Sequence, residues 1–290
     1  MGVSELYQKV IKALNEVDRI FSLSDIVFLT QSSAKTVAEI LNQLKKERAI
    51  LSIGKGLYRK LERPVPIDFR NAKDEYVDII LPLDMNRLVK ITKKSIVIVS
   101  GVTNAGKSAF LLNLIHDNMD KFDIDYYSSE LNDSRLKIRL KCFEDVEGRE
   151  IEWKFNAYEL TQDYVHFINP NGISIIDYLE VYDNFYAVGG LVNEIFRMLK
   201  EGIVFIALQK NPHQAFGLGG SRSAEKAHLY ISIDAGVLKI VKAKEWANPL
   251  INPNNMATRF KLYMGSKFYQ DGKWYREIEK AKEVPKEEVF

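Results

Sequence analysis

Cysteine is almost absent from this chain of 290 residues: Cys142 is the single copy, so no internal disulfide can form. The four histidines, His116, His166, His213 and His228, are scattered without metal-ligand spacing, and no structural metal is expected. No apolar run approaches membrane-spanning length, and the first residues lack the basic-then-apolar order of a signal peptide. These absences argue against a disulfide-stapled secreted scaffold or an integral membrane protein, and the expectation is a cytoplasmic protein with no membrane partner. A dominant charge is missing too, because 41 Lys and Arg against 39 Asp and Glu leave only +2. The chain as a whole therefore does not announce a polyanion binder. Residues 1–61, however, hold ten basic against six acidic residues, a small local excess that hints at an anionic partner. What is present, 46% hydrophobic and 28% charged residues, suits one large core with a small appended domain.

The run Gly101-Val102-Thr103-Asn104-Ala105-Gly106-Lys107-Ser108 is a complete phosphate-binding loop. It follows an apolar run at 95–100 that reads as a buried strand, and Ala109 opens a run to 115 that reads as a helix. Such a loop curls so that successive N–H groups face phosphate oxygens, with the helix dipole behind them. Gly101, Val102, Thr103, Asn104, Ala105, Gly106, Lys107, Ser108 and Ala109 are the candidate ATP-binding residues. Lys107 would hold the β and γ phosphates, and the Ser108 hydroxyl would face Mg²⁺.

Around this motif the chain divides into expected segments of 1–61, a linker at 62–80, an α/β domain at 81–276 and a charged tail at 277–290. Apolar residues at Leu6, Val10, Ile11 and Leu14 recur at helical spacing. A second short helix would start at Ser24, and Ser32 or Ser33 would cap a third over 34–47 with Val37, Ile40, Leu41 and Leu44 on its apolar face. Short strands at 49–53 and 56–61, joined at Gly54-Lys55, complete a pattern that resembles a winged-helix domain. Pro64 and Pro66 mark the linker. Beyond it, strands are expected at 96–100, 124–128, 173–177, 203–208, 229–233 and 237–243, alternating with helices as in a mostly parallel sheet covered on its faces.

Hydrolysis at a phosphate loop needs a carboxylate near Mg²⁺ and a group that orients the attacking water. The apolar run 172–176 ends in Asp177, the candidate metal-side carboxylate. The residue after it is Tyr178, not a glutamate, so the base must come from elsewhere. Ser128-Ser129-Glu130 ends the strand after the loop helix and supplies one, with Glu180 the second candidate. Here the sequence resembles the RecA-like ATPases, in particular the DnaB-type helicase, RepA and KaiC branch. That branch carries its catalytic glutamate in a Ser-x-Glu strand ending, matched by Glu130.

Further matches span 81–268. Asp177-Tyr178-Leu179 matches the Asp-Tyr-Leu of DnaB-type segments, and Gln209 ends its strand where the family has a γ-phosphate-sensing glutamine. The glycine-rich stretch that follows resembles a pore-facing DNA loop, with Lys210, Arg222 and Lys226 to meet phosphates and Gly217, Gly219 and Gly220 to let it move. Lys242 and Lys244 align with the Lys-x-Arg element that acts in a neighbour's active site, although a lysine at 244 cannot make arginine's planar bidentate contact. The resemblance implies an ATP- and Mg²⁺-dependent, DNA-acting ATPase of the helicase and replication class, assembled as a homo-oligomeric ring or filament. The alternatives to it are a KaiC-like or recombinase-like regulatory ATPase, or a DNA-binding regulator with a nucleotide switch. Single-stranded DNA would meet the core loop, and duplex DNA the N-terminal domain.

Overall fold

The computed structural model of the chain describes residues 3–61, 64–73, 75–181, 187–212 and 214–276; the expected charged tail and His213 lie outside them. Contacts divide the chain into two compact units, 1–73 and 74–290. That boundary differs from the expected linker end at 80. The Val77 N–H donates to the Ile91 carbonyl at 2.8 Å, the Asn118 side chain brackets the Ile80 backbone at 2.8 Å on both sides, and Ile79 and Leu81 are 2% exposed. Among the described residues no helix is long and apolar enough to cross a membrane.

The first unit contains α1 (Val3–Glu16), β1 (Ile20–Ser22), α2 (Leu23–Thr30), α3 (Ala34–Lys46), β2 (Ile50–Gly54) and β3 (Leu57–Lys60). Val37, Ile40, Leu41 and Leu44 form the buried face of α3 and pack with Val10, Phe21 and Ile26. Ser33 caps this helix, accepting from the Thr36 N–H at 3.2 Å. The cap of α2 is Ser22 rather than Ser24, because Ser22 and Asp25 satisfy each other's backbone N–H groups reciprocally. The sheet order is β1-β3-β2, all antiparallel. Strand β1 is too short to show alternation in sequence, and it is fixed by Phe21 stacking on Tyr58 at 5.7 Å.

The second unit is α/β. Strands β4 (Ser95–Gly101), β5 (Ile124–Ser128), β6 (Asn156–Glu159), β7 (Ile173–Asp177), β8 (Ile203–Gln209), β9 (Leu229–Asp234), β10 (Val237–Ala243), β11 (Met256–Tyr263) and β12 (Lys267–Arg276) form one sheet of order β12-β11-β10-β9-β4-β8-β7-β5-β6. From β9 to β6 every pairing is parallel, and β10, β11 and β12 each pair antiparallel with the strand before them. Helices α4 (Lys107–Asn118), α5 (Asp133–Glu147) and α6 (Ala187–Met198) supply the layers. Because successive strand residues face opposite ways, Val97 and Val99 join Phe110, Leu111 and Phe143 on one face, while Ile96 and Ile98 join Val188, Val192 and Ile195 on the other. Burial on both faces explains the near-continuous apolar runs of β4, β7 and β8.

The terminal hairpin β11–β12 bends over the start of α4. Gly106 caps α4 with φ of 102°, and a Cβ there would stand 3.0 Å from Leu262 Cδ1 and 3.3 Å from Phe268 Cζ, so glycine is needed for backbone and space alike. Asn113, 4% exposed, ties the hairpin down: its Nδ2 donates to the Ser266 carbonyl at 2.7 Å and its Oδ1 accepts from the Phe268 N–H at 3.3 Å. Asn113→Ala leaves both hairpin groups buried and unpaired. The expected cost is about 2–3 kcal/mol of unfolding free energy, read by chemical denaturation, with faster amide exchange confined first to the 263–268 turn.

Candidate nucleotide-binding site

Strand β4 ends at the sheet's carboxyl edge, and the loop 102–106 returns the chain into α4 there, the position at which open α/β sheets bind ligands. Lys107 is only 7% exposed. Its ammonium donates to the Gly101 and Val102 carbonyls and to Gln209 Oε1, each at 3.1 Å. Burial lowers its pKa, opposed by the negative charges of Asp177 and Glu130. These two carboxylates come from the ends of β7 and β5, which lie side by side with Ser128 opposite Asp177.

Asp177 is 3% exposed, and burial raises its pKa. Hydrogen bonds from Tyr126 and Ser108, with the charges of Arg139 and Lys107, act in the opposite direction. The Tyr126 hydroxyl donates to Asp177 Oδ2 at 2.5 Å; Tyr126 is itself buried, which lifts its pKa well above the ordinary tyrosine value. After β5 the Ser128 Oγ accepts from the Glu130 and Leu131 N–H groups at 3.3 and 2.9 Å, turning the chain so that Glu130 lines the cleft with an exposed side chain. The Ser-x-Glu pattern thus has a local physical cause: the serine folds the turn that presents the glutamate.

Thr103, Asn104, Gly106, Lys107, Ser108, Ala109, Glu130, Asp177 and Gln209 converge on one cleft of about 400 Å³. Residues not expected from the sequence complete it: Arg139 and Cys142 from α5, Tyr178, and Leu262, Met264, Gly265 and Ser266 from the β11–β12 hairpin. Of these only Tyr178 falls in a motif match, Asp177-Tyr178-Leu179, and the hairpin reaches the cleft only through tertiary packing. A larger hollow of about 580 Å³ beside β6 has no cationic side chain in its lining, so the smaller cleft fits a polyphosphate better. The Ser108 hydroxyl and the Asp177 carboxylate are hard oxygen donors set together, which fits Mg²⁺. Among the described residues no three His, Cys, Asp or Glu side chains group as a metal cluster, so a cation here would take most of its ligands from phosphate and water.

Lys242 and Lys244 are not brought to this cleft. Strand β10 runs antiparallel to β9 and carries them to the opposite end of the sheet, where the Lys242 ammonium donates to the Ala224 carbonyl at 2.5 Å and Lys244 is exposed. Glu180 is not in the cleft lining. Lys210 requires a correction. Its side chain is 1% exposed and its ammonium is bound to Asp234 Oδ2 at 2.8 Å and to the Gln214 carbonyl at 2.9 Å, which removes it from the candidate phosphate contacts. Gly217 likewise serves close packing rather than motion, since a Cβ there would lie 2.9 Å from the Gln209 carbonyl and its N–H donates to the Tyr230 hydroxyl at 2.8 Å. Arg222 and Lys226 are exposed.

No protein-family model matches the chain, and no curated protein matches it in sequence. Solved structures do match. A KaiC-like protein from the hyperthermophilic archaeon Pyrococcus horikoshii OT3 aligns with 68% of this chain and 99% of its own, at 12% identity and a TM-score of 0.51. The second unit has the RecA-like P-loop fold. Two weaker matches have a TM-score of 0.45 each. One is the RadB recombinase, at 10% identity over 60% of this chain and 90% of its own. The other is a separately solved ATPase domain, at 13% identity over 61% of this chain and 84% of its own.

The Lys107–Gln209 contact makes a direct forecast. Gln209→Glu places a carboxylate about 3 Å from the ammonium that phosphate must claim, so nucleotide affinity should fall roughly tenfold or more, measured with a fluorescent ATP analogue.

Proposed function

We propose that the chain is an ATP-hydrolysing, DNA-acting protein of the DnaB-type helicase and replication class, with ATP bound between subunits of a homo-oligomer. The convergence of Lys107, Ser108, Glu130, Asp177 and Gln209 on one cleft carries this reading. Lys107 gives up its two carbonyls and Gln209 to hold the β and γ phosphates. The loop N–H groups and the α4 dipole hold the phosphate chain. Ser108 and Asp177 would hold a Mg²⁺ ion, whose chemistry when bound would be to neutralise charge on the phosphate oxygens. Glu130, exposed in the cleft, orients the attacking water and accepts its proton. Gln209, released from Lys107, reports the terminal phosphate to the stretch that begins at Lys210.

The subunit-interface element rests on Lys242 and Lys244. Strand β10 carries them about 20 Å along the sheet from the P-loop edge, at roughly 3.3 Å per residue, too far to serve their own nucleotide. Each would serve a neighbour's terminal phosphate. The first unit is read as a winged-helix domain, with exposed Lys35, Lys46, Arg48 and Lys55 and half-buried Lys45 available to duplex phosphates. Arg222 and Lys226 are the candidate contacts to single-stranded DNA. A KaiC-like regulatory ATPase is the second reading, favoured by the alignment that covers 99% of a KaiC-like chain.

Turnover measurements test the core of the proposal. Lys107→Ala should abolish ATP hydrolysis and weaken nucleotide binding, whereas Glu130→Gln should keep binding and lose turnover roughly a hundredfold or more. If Glu180→Gln behaves that way instead, the assignment of the base is wrong. Mixing Lys244→Ala with Lys107→Ala subunits should recover activity that neither has alone, because mixed interfaces pair an intact loop with an intact lysine. No recovery in confirmed mixed oligomers would remove the trans role. Unwinding of a forked duplex by the full chain separates the helicase reading from the regulatory one.

For the first unit, Lys35→Glu combined with Lys55→Glu in the full chain should weaken duplex DNA binding, and wild-type affinity should fall steeply as salt rises. Equal binding by the variant at low salt would assign this unit to protein contacts.

A further inference from the structure

Tyr126 has no exposed surface, and its ring is locked edge-on against Phe155 at 6.2 Å between centroids. A phenylalanine would fill this part of the core as well without burying a hydroxyl, so the hydroxyl has to be accounted for by what it bonds. It donates to Asp177 Oδ2 at 2.5 Å, and the Ser128 side chain, two residues on along the same strand, lies beside it. Ser128 in turn accepts from the N–H groups of Glu130 and Leu131. The bond that accounts for the hydroxyl is the one to Asp177, the metal-side carboxylate, beside the serine whose turn presents the water-side one.

We propose that Tyr126 is a positioning residue for the metal side of this site: its hydroxyl fixes Asp177 in one orientation, committing Oδ2 and leaving Oδ1 available to a cation that would bind there. The inference rests on the nucleotide-binding reading above. The terminal torsion of an aspartate is broad, so an unheld carboxylate samples many orientations, and only some of them present an oxygen to a cation. Tyr126 is rigid because it is fully buried on a strand paired on both sides, and β5 is paired to β7 in a register that sets Tyr126 opposite Ile175, two residues short of Asp177. Ser108, on α4, lines the same cleft and would be the second oxygen donor to a cation held there.

Tyr126→Phe in the full chain is the test, with a fluorescent ATP analogue as probe and Mg²⁺ as titrant. Affinity for the analogue in EDTA should stay within about twofold of wild type, while the Mg²⁺ concentration giving half of the Mg²⁺-dependent binding rises about tenfold, the scale of one lost hydrogen bond to a charged group. In an Asp177→Asn background the same substitution should shift the Mg²⁺ midpoint less than twofold, because the group it positions is already gone. Equal Mg²⁺ midpoints in wild type and variant would overturn the inference, and so would an equal loss of binding in EDTA, which marks a general packing role. Should Tyr126→Phe fail to fold, wild-type protein labelled with ¹³Cζ-tyrosine decides: the Tyr126 resonance should move when Mg²⁺ is added to nucleotide-loaded protein, and a static resonance would overturn the proposal. A wild type that binds no nucleotide at any Mg²⁺ concentration would instead bring down the nucleotide reading itself.

Discussion

A lysine and an aspartate buried at one edge of a sheet are the constraint around which the second unit is arranged. Lys107 is 7% exposed and Asp177 3% exposed, and charged groups so far from water must be met by polar partners. Backbone carbonyls and Gln209 satisfy the lysine; Tyr126 and Ser108 satisfy the aspartate. Four parallel strands, β4, β5, β7 and β8, have to end at one level for those partners to coincide. Their registers achieve this, with Gly101 opposite Gln209 and Ser128 opposite Asp177. The stored polarity is what makes the edge receptive to a ligand that brings both negative charge and a cation.

Much of this was legible in the chain itself. The phosphate loop, the strand end at Asp177 and Gln209 all follow long apolar runs, because a strand buried on both faces leaves an unbroken apolar signature and its polar terminus stands out; β5 is shorter and broken by Asp125, and the Ser-x-Glu ending marked it instead. The same logic located α3, whose buried face repeats at Val37, Ile40, Leu41 and Leu44. Illegible elements lacked such a signature. Strand β6 is exposed at all four residues, and β11 and β12 place Arg259, Lys261, Asp271 and Lys273 on an outer face that dilutes the apolar alternation. Arg139 is one of several charges along α5, and nothing in its spacing separates it from its neighbours.

Lys210 illustrates a different limit. In sequence a lysine at the head of a glycine-rich stretch reads as an exposed cation, since composition says nothing of which way a strand-end side chain turns. Gln209 and Lys210 are adjacent: the first meets Lys107, whereas the second turns to Asp234 at the end of β9. Leu218 also returns its N–H to the Gln209 carbonyl at 2.8 Å, so the glycine-rich stretch is stitched to the sheet at both ends of its first turn.

The β11–β12 hairpin gives the cleft a wall drawn from far along the chain. Leu262, Met264, Gly265 and Ser266 face the phosphate loop, although about 150 residues separate them from it, and Asn113 is the clasp. Every recognisable signature, from Gly101 to Lys244, precedes that hairpin. A chain cut at residue 255 would still read as an intact nucleotide site to any motif-based inspection, yet it would hold an open trough, with Gly106 facing empty space where Leu262 and Phe268 now press.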